Sequence, residues 1–321
     1  MNTDAAHIPI AASVSPEARG KLEGIRAFLT AMPATPQPRT QEEFDAAAAR
    51  GAIFAEQLGK SALDALGTIA TERMLGGVQT LDVVPPDFED DGSIIVYVHG
   101  GGFVTGSARA NLVTAALAAA SSGRRVISID YILAPRATYD VILDQVAAVW
   151  SALLAEGADA GKMGLFGDSA GGCIVAATAL LLRDRGIPAP AAIVMLSPVT
   201  DIAGEGDTTA TLAHADYLDA TVRDLARSAY APGADLTDPL VSPVFGDFTR
   251  SYPPALIQVG TREILLSDSV RLHRRLRAAG CSSRLEVYEG MPHVFQSLLA
   301  DAPEGREAWA EMTAFWADHL A

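Results

Sequence analysis

From Val78 onward the apolar positions of this chain fall into two alternating rhythms. Short β-branched runs without polar alternation give way to longer stretches with helical spacing. The runs predict strands at Val78–Val84 (stopped by Pro85 and Pro86), Ser93–His99, Arg125–Tyr131, Met163–Asp168, Ala191–Ser197, Pro254–Gly260 and Arg284–Gly290. Helices are predicted over 108–121, 139–155, 170–185, 267–280 and 304–320. Strands alternating with helices of this length imply parallel βαβ units. Runs that lack polar alternation imply strands covered on both faces, so the fold class is α/β.

Two regions break the rhythm. Over residues 1–75, Pro9, Pro16, Pro33, Pro36 and Pro38 leave short helical pieces. Among them "EEFDAAAARGAIFAEQL", Glu42–Leu58, has helical spacing and alanine-rich propensity. Its apolar residues need a surface to pack on, which predicts an appended helical layer. Residues 200–248 carry helical patches such as "ATVRDLARSAY" and no buried strand. The predicted core is therefore 76–199 with 249–321.

Composition narrows the options. With 321 residues, 49% apolar and 20% charged, the chain suits one large domain, or one with a small appendage. The net charge is -15, with lysine only at Lys21, Lys60 and Lys162. Such a surface disfavours nucleic acid, whose binding rests on neutralising phosphates, and an anionic membrane. A small substrate is expected to be neutral. No apolar run approaches the ~18 residues of a membrane span, and the first residues lack a basic-then-apolar leader pattern. Cys173 and Cys281 lie in separate helical contexts, so neither a disulfide framework nor a metal site is expected. The default location is the cytoplasm.

Two glycine-rich stretches carry the chemistry. "GLFGDSAGG" sets Gly167-Asp168-Ser169-Ala170-Gly171 between a strand and a helix, the context in which G-x-S-x-G has meaning. Ser169 is then raised at the strand ends as a nucleophile. A serine needs a base, and the base an orienting group. Of His7, His99, His214, His273, His293 and His319, His293 leaves the last strand's C-terminal end. Glu263 leaves the preceding strand. The order Ser169, Glu263, His293 is that of a serine–acid–histidine triad on such a sheet. "HGGGF", His99–Phe103, supplies the bare N–H groups of Gly101 and Gly102, and Ala170 a third, for an oxyanion. His99 is expected to hold the glycine loop. Asp168 either fixes the turn or caps the helix. Cys173 reads as a small buried residue, and His214, Tyr217 and Leu218 as pocket, core or surface.

"HGGGF" together with "GDSAGG" resembles the bacterial hormone-sensitive-lipase family of esterases (family IV), within the α/β-hydrolase fold. "YILAP", "LSPVTD", "DPLVSP", "PPALIQVG" and "GMPHVF" extend the resemblance from about Val78 to the C-terminus. It implies an eight-stranded, mostly parallel sheet, with a helical cap built from residues 1–75 and 200–248. It also implies hydrolysis of short- to medium-chain carboxylic esters without cofactor or metal, and homodimerisation through a sheet edge. The chain departs from the pattern twice. Glu263 stands where the family usually has aspartate, with Asp268 in reserve, and Arg136 replaces a common acidic residue. The motifs do not separate an ester from a lactone or an amide. A non-catalytic ligand-binding protein on the same scaffold is the alternative from another class.

Overall fold

A computed structural model describes residues 9–31, 37–218, 221–249 and 251–320. His7, Pro33 and Pro36, named above, lie outside these. In chain order the elements begin with α1 (Pro16–Ala31), α2 (Gln41–Leu66), β1 (Ile69–Leu75), β2 (Val78–Val84), β3 (Ile94–Val98), α3 (Leu112–Ser122) and β4 (Arg125–Ile129). Next come α4 (Tyr139–Ala155), β5 (Met163–Asp168), α5 (Ala170–Asp184) and β6 (Ala192–Leu196). Two short helices follow, α6 (Thr208–Thr211) and α7 (Thr221–Leu225). The chain closes with β7 (Ala255–Gly260), α8 (Leu266–Ala278), β8 (Ser283–Tyr288), α9 (Phe295–Leu298) and α10 (Pro303–His319).

The strands make one sheet in the order β1-β2-β4-β3-β5-β6-β7-β8. β2 is antiparallel to both of its neighbours, and β3 to β8 run parallel. This is the α/β-hydrolase fold. The predicted strands form within a residue or two of their expected ends.

The period-2 geometry of the strands sorts their side chains into two cores. Ile94, Val96 and Val98 of β3 face one way, with α4, α5 and α8; Ile95 and Tyr97 face the other, with α3 and α10. α5 is buried from Ala170 to Leu182, which is why its sequence shows no polar face. A third, smaller core joins Val14, Ala18 and Leu22, at and before α1, to Met291, Phe295 and Leu299 beside the last site loop.

One expectation needs correction. Residues 69–75, read as the end of a helical segment, form β1, the eighth strand. The strand sits at the sheet edge with little burial, so its "IATERML" shows no apolar alternation. The signal that locates it is the pair Gly76-Gly77, with φ 55° and 78°. Two residues at positive φ between two extended runs make the tight turn that matches strand twist.

α2 is longer than the predicted stretch. A capping box fixes its start: Thr40 accepts from the Glu43 N–H, and the Glu43 carboxylate accepts from the Thr40 N–H at 3.0 Å. It ends at Gly67 in the left-handed region.

Candidate active site

β5 ends at Asp168, and the chain turns at Ser169 into α5. Ser169 has φ 54° and ψ -119°, a conformation that strains any residue with a Cβ. Close approach around it requires bare neighbours. A Cβ on Gly167 would lie 2.6 Å from the Gly171 carbonyl, and one on Gly171 would strike the Val98 carbonyl. The Ser169 N–H donates to the Leu196 carbonyl at 2.8 Å, and the Ser169 carbonyl accepts from Gly172 and Val199 at 3.1 Å.

The glycine loop leaves β3 alongside. Gly101 has φ 115°, and a Cβ there would strike the Thr105 carbonyl. Among the described residues, no acceptor takes the N–H groups of Gly101, Gly102 or Ala170. Asp168 ties this loop to the serine turn. Its carboxylate accepts from the Gly100 N–H at 3.1 Å and the Tyr97 hydroxyl at 2.6 Å. These contacts fasten the turn at Ser169 to the glycine loop. His99 is fully buried, stacks on Tyr131 at 4.3 Å, and its Nδ1 lies 2.7 Å from the Gly100 carbonyl. Burial pulls its pKa down, against the Gly100 hydrogen bond.

Glu263 and His293 come together from the ends of β7 and β8. Glu263 Oε2 lies 3.1 Å from His293 Nδ1. Its other oxygen accepts from the Ser197 hydroxyl at 2.9 Å and from the Gly260 N–H. Ser197 Oγ in turn accepts from the Val294 N–H at 3.1 Å, next to His293. Burial alone would lower the His293 pKa; the Glu263 hydrogen bond and charge, with Asp216 and Asp168 behind them, outweigh it and raise the pKa overall.

Ser169, His293, Gly101 and Gly102 all line one cavity of about 830 Å³. Its remaining wall is largely apolar. Leu58 comes from α2, Val104 and Val113 from the core, Leu218, Val222 and Leu225 from the segment after β6, and Leu298 from α9. Tyr217 and Leu218 are thus at the pocket, while His214 is exposed and absent from its wall.

The other singled-out residues have separate employment. Asp268 is fully buried against Arg223 at 2.7 Å and accepts from the Thr200 and Asp201 N–H groups, so it is committed away from the imidazole. Arg136 makes a two-pronged ion pair with Asp45 of α2, at 2.6 and 3.2 Å. Cys173 is buried behind the serine, its Sγ 3.5 Å from the Val241 carbonyl. Among the described residues, no cluster of His, Cys, Asp or Glu has metal-site geometry, and no helix is long and apolar enough to cross a membrane.

Ser197, Asp216 and the hydroxyl of Tyr217 were not read as site residues. One signal pointed to Ser197, which sits at the C-terminal end of a predicted parallel strand, where the other site residues emerge. Strain marks the same place. Five non-glycine residues among those described have positive φ, and Phe103, Ser169, Ser197 and Val294 of them surround the site.

The profile of a family described as "alpha/beta hydrolase fold" matches residues 95–297. An acetyl-hydrolase of Streptomyces hygroscopicus is 35% identical over 227 residues, 70% of this chain and 75% of that protein. The carboxylesterase NlhH of Mycobacterium tuberculosis is 32% identical over 235 residues, 70% of this chain and 73% of its own. A crystal structure of an esterase from the bacterial hormone-sensitive lipase family superposes with a TM-score of 0.84 and 33% identity, covering 96% of this chain and 99% of that one. The chain therefore belongs to the bacterial hormone-sensitive-lipase family of esterases, on the α/β-hydrolase fold.

Proposed function

We propose that the protein is a serine carboxylic-ester hydrolase that works through an acyl-enzyme, with Ser169, His293 and Glu263 as its triad. The observation that carries this is the 3.1 Å approach of Glu263 to His293 in a pocket that Ser169 shares. Ser169 Oγ attacks the ester carbonyl, and His293 Nε2 takes its proton. Negative charge moves to the carbonyl oxygen, where the N–H groups of Gly101, Gly102 and Ala170 receive it. Each such donor lowers the barrier by about 2.7–4 kcal/mol. The intermediate collapses as His293 returns its proton to the departing alcohol. Water, deprotonated by the same imidazole, then attacks the acyl carbonyl and frees the acid. Glu263 holds the imidazole in the tautomer with Nδ1–H and stabilises the imidazolium.

Substrates are neutral esters with short to medium acyl chains. The reasons are the cavity of about 830 Å³ and its apolar wall, with no lysine or arginine in its lining. Residues 1–75, as far as described and apart from β1, and 200–248 act as the cap, since α2 and the segment after β6 both contribute lining. A fluorophosphonate probe is expected to label Ser169 at one equivalent and to abolish hydrolysis of p-nitrophenyl butyrate. Turnover that survives full labelling would remove Ser169 from the mechanism.

The raised His293 pKa gives a direction for pH dependence. The base must be neutral, so activity falls as pH drops through that pKa. The acidic limb of kcat/KM is expected to have its midpoint above the ordinary imidazole value of about 6.5. A midpoint below it would mean that burial outweighs Glu263, Asp216 and Asp168, contrary to the contacts described.

A further inference from the structure

The segment after β6 meets the site at Asp216-Tyr217-Leu218. Asp216 has no solvent exposure, yet both carboxylate oxygens are used. Oδ2 accepts from the Ile264 N–H at 2.7 Å, and Oδ1 from the Leu218 N–H at 3.0 Å. Ile264 is the residue bonded to Glu263. The Tyr217 hydroxyl donates to the His293 carbonyl, and its ring stands edge-on to the imidazole with centroids 6.1 Å apart. Leu218, next along, lines the cavity. Two adjacent residues of one segment thus grip the backbone beside the acid and beside the base. That grip crosses from a segment with few regular elements to two loops of the core.

We propose that Asp216 and Tyr217 are positioning residues, which couple the seating of this segment over the cavity to the alignment of Glu263 with His293. The proposal rests on the triad reading above. A separate anchor seats the segment, so the grip is not its only attachment: Arg223 of α7 is buried against Asp268 of α8 at 2.7 Å.

The carboxylate at 216 does more than accept hydrogen bonds. An asparagine oxygen would still serve the Ile264 N–H, without burying a second acid near Glu263, and would give up only the Leu218 N–H. What the carboxylate adds is charge facing the imidazole. The groups facing His293 are Glu263 from the end of β7, Asp168 from the end of β5, and Asp216 with the Tyr217 hydroxyl from the inserted segment. Asp216 itself is pushed up to about 7, by burial first and by the Glu263 charge, against the His293 charge and the two N–H donors. It therefore carries part of a negative charge near neutral pH, and that charge raises the His293 pKa.

The test uses the full chain with p-nitrophenyl butyrate, and compares Asp216→Ala, Asp216→Asn, Tyr217→Phe and Ser169→Ala. Asp216→Ala is expected to lower kcat about tenfold to a hundredfold with KM within about twofold, as small misplacements of reacting groups do. Asp216→Asn should recover part of that kcat, because its amide oxygen still accepts from Ile264 while its NH₂ is left against the Leu218 N–H. Its acidic limb should move to lower pH, because the lost charge no longer raises the His293 pKa. Tyr217→Phe should lower kcat about three- to tenfold. The proposal is overturned if folded Asp216→Ala and Tyr217→Phe keep kcat within about twofold, or if the loss falls on KM alone. Should Asp216→Ala fail to fold, the other two variants decide: an unmoved pH limb in Asp216→Asn with an unchanged kcat in Tyr217→Phe overturns it. An inactive Ser169→Ala beside a fully active Asp216→Ala rejects the coupling and keeps the triad. An active Ser169→Ala rejects both.

Discussion

Ser169→Ala is expected to cut the turnover of a p-nitrophenyl ester by about 10⁶-fold, the scale seen when a triad serine is removed. What survives is the contribution of the oxyanion donors and of binding, about 10³–10⁴-fold over water. Folding should be intact, since alanine keeps the Cβ and loses only a hydroxyl that faces the cavity. The backbone offers a check that does not depend on chemistry. At φ 54° and ψ -119° the strain comes from the Cβ, which alanine retains. Ser169→Gly removes it. Relief of about 1–3 kcal/mol, less about 0.5–1 kcal/mol for glycine's extra freedom when unfolded, leaves the glycine variant more stable than the alanine one. Chemical denaturation of the two variants measures the difference. Ester turnover by Ser169→Ala within tenfold of the parent would place the nucleophile elsewhere. A glycine variant less stable than alanine by glycine's full cost of about 0.5–1 kcal/mol would show that the turn stores no strain.

Glu263→Gln should be the next most damaging, at about 10⁴-fold in kcat, and the hydrogen bonds explain why. One carboxylate oxygen accepts from the Gly260 N–H and the Ser197 hydroxyl, and the other faces His293 Nδ1. A glutamine has a single acceptor oxygen. The Gly260 N–H is a fixed donor, so the amide oxygen must turn toward it and the NH₂ toward the imidazole. Nδ1 then has to accept, the proton moves to Nε2, and the ring cannot take the serine proton. Glu263→Asp keeps two acceptor oxygens but sits one methylene short, so it should retain far more activity than the isosteric amide. Equal losses in the two variants would mean that charge and tautomer are not what Glu263 supplies. Single-turnover measurements would separate acylation from release.

The site was legible from the sequence where its chemistry is local. Gly167, Ser169 and Gly171 sit within five residues of chain, and the steric need for bare neighbours is met inside that stretch. The glycines after β3 are legible for the same reason. Glu263 and His293 could be chosen because parallel strands deliver their C-terminal ends to one side. Asp268, the reserve acid, shows the limit of that reasoning. It is only five positions from Glu263, yet the first turn of α8 carries it to Arg223. Arg136 looked like a defect in a motif and is one half of an ion pair with Asp45, 91 residues away. β1 was hidden because an exposed edge strand need not alternate.

The sequence by itself determined the alternation of strands and helices, the two bare turns and the chain order of the three residues proposed as the triad. Each of these follows from hydrophobic period, backbone sterics or chain direction, which act over a few residues. The tertiary structure alone decided which residues of the segment after β6 touch the site. Asp216 and Tyr217 reach the acid and histidine loops across 48 and 76 residues of chain. Side-chain-to-backbone bonds of that span leave no periodic trace. They depend on where a weakly patterned segment lands once the two cores beneath it have packed.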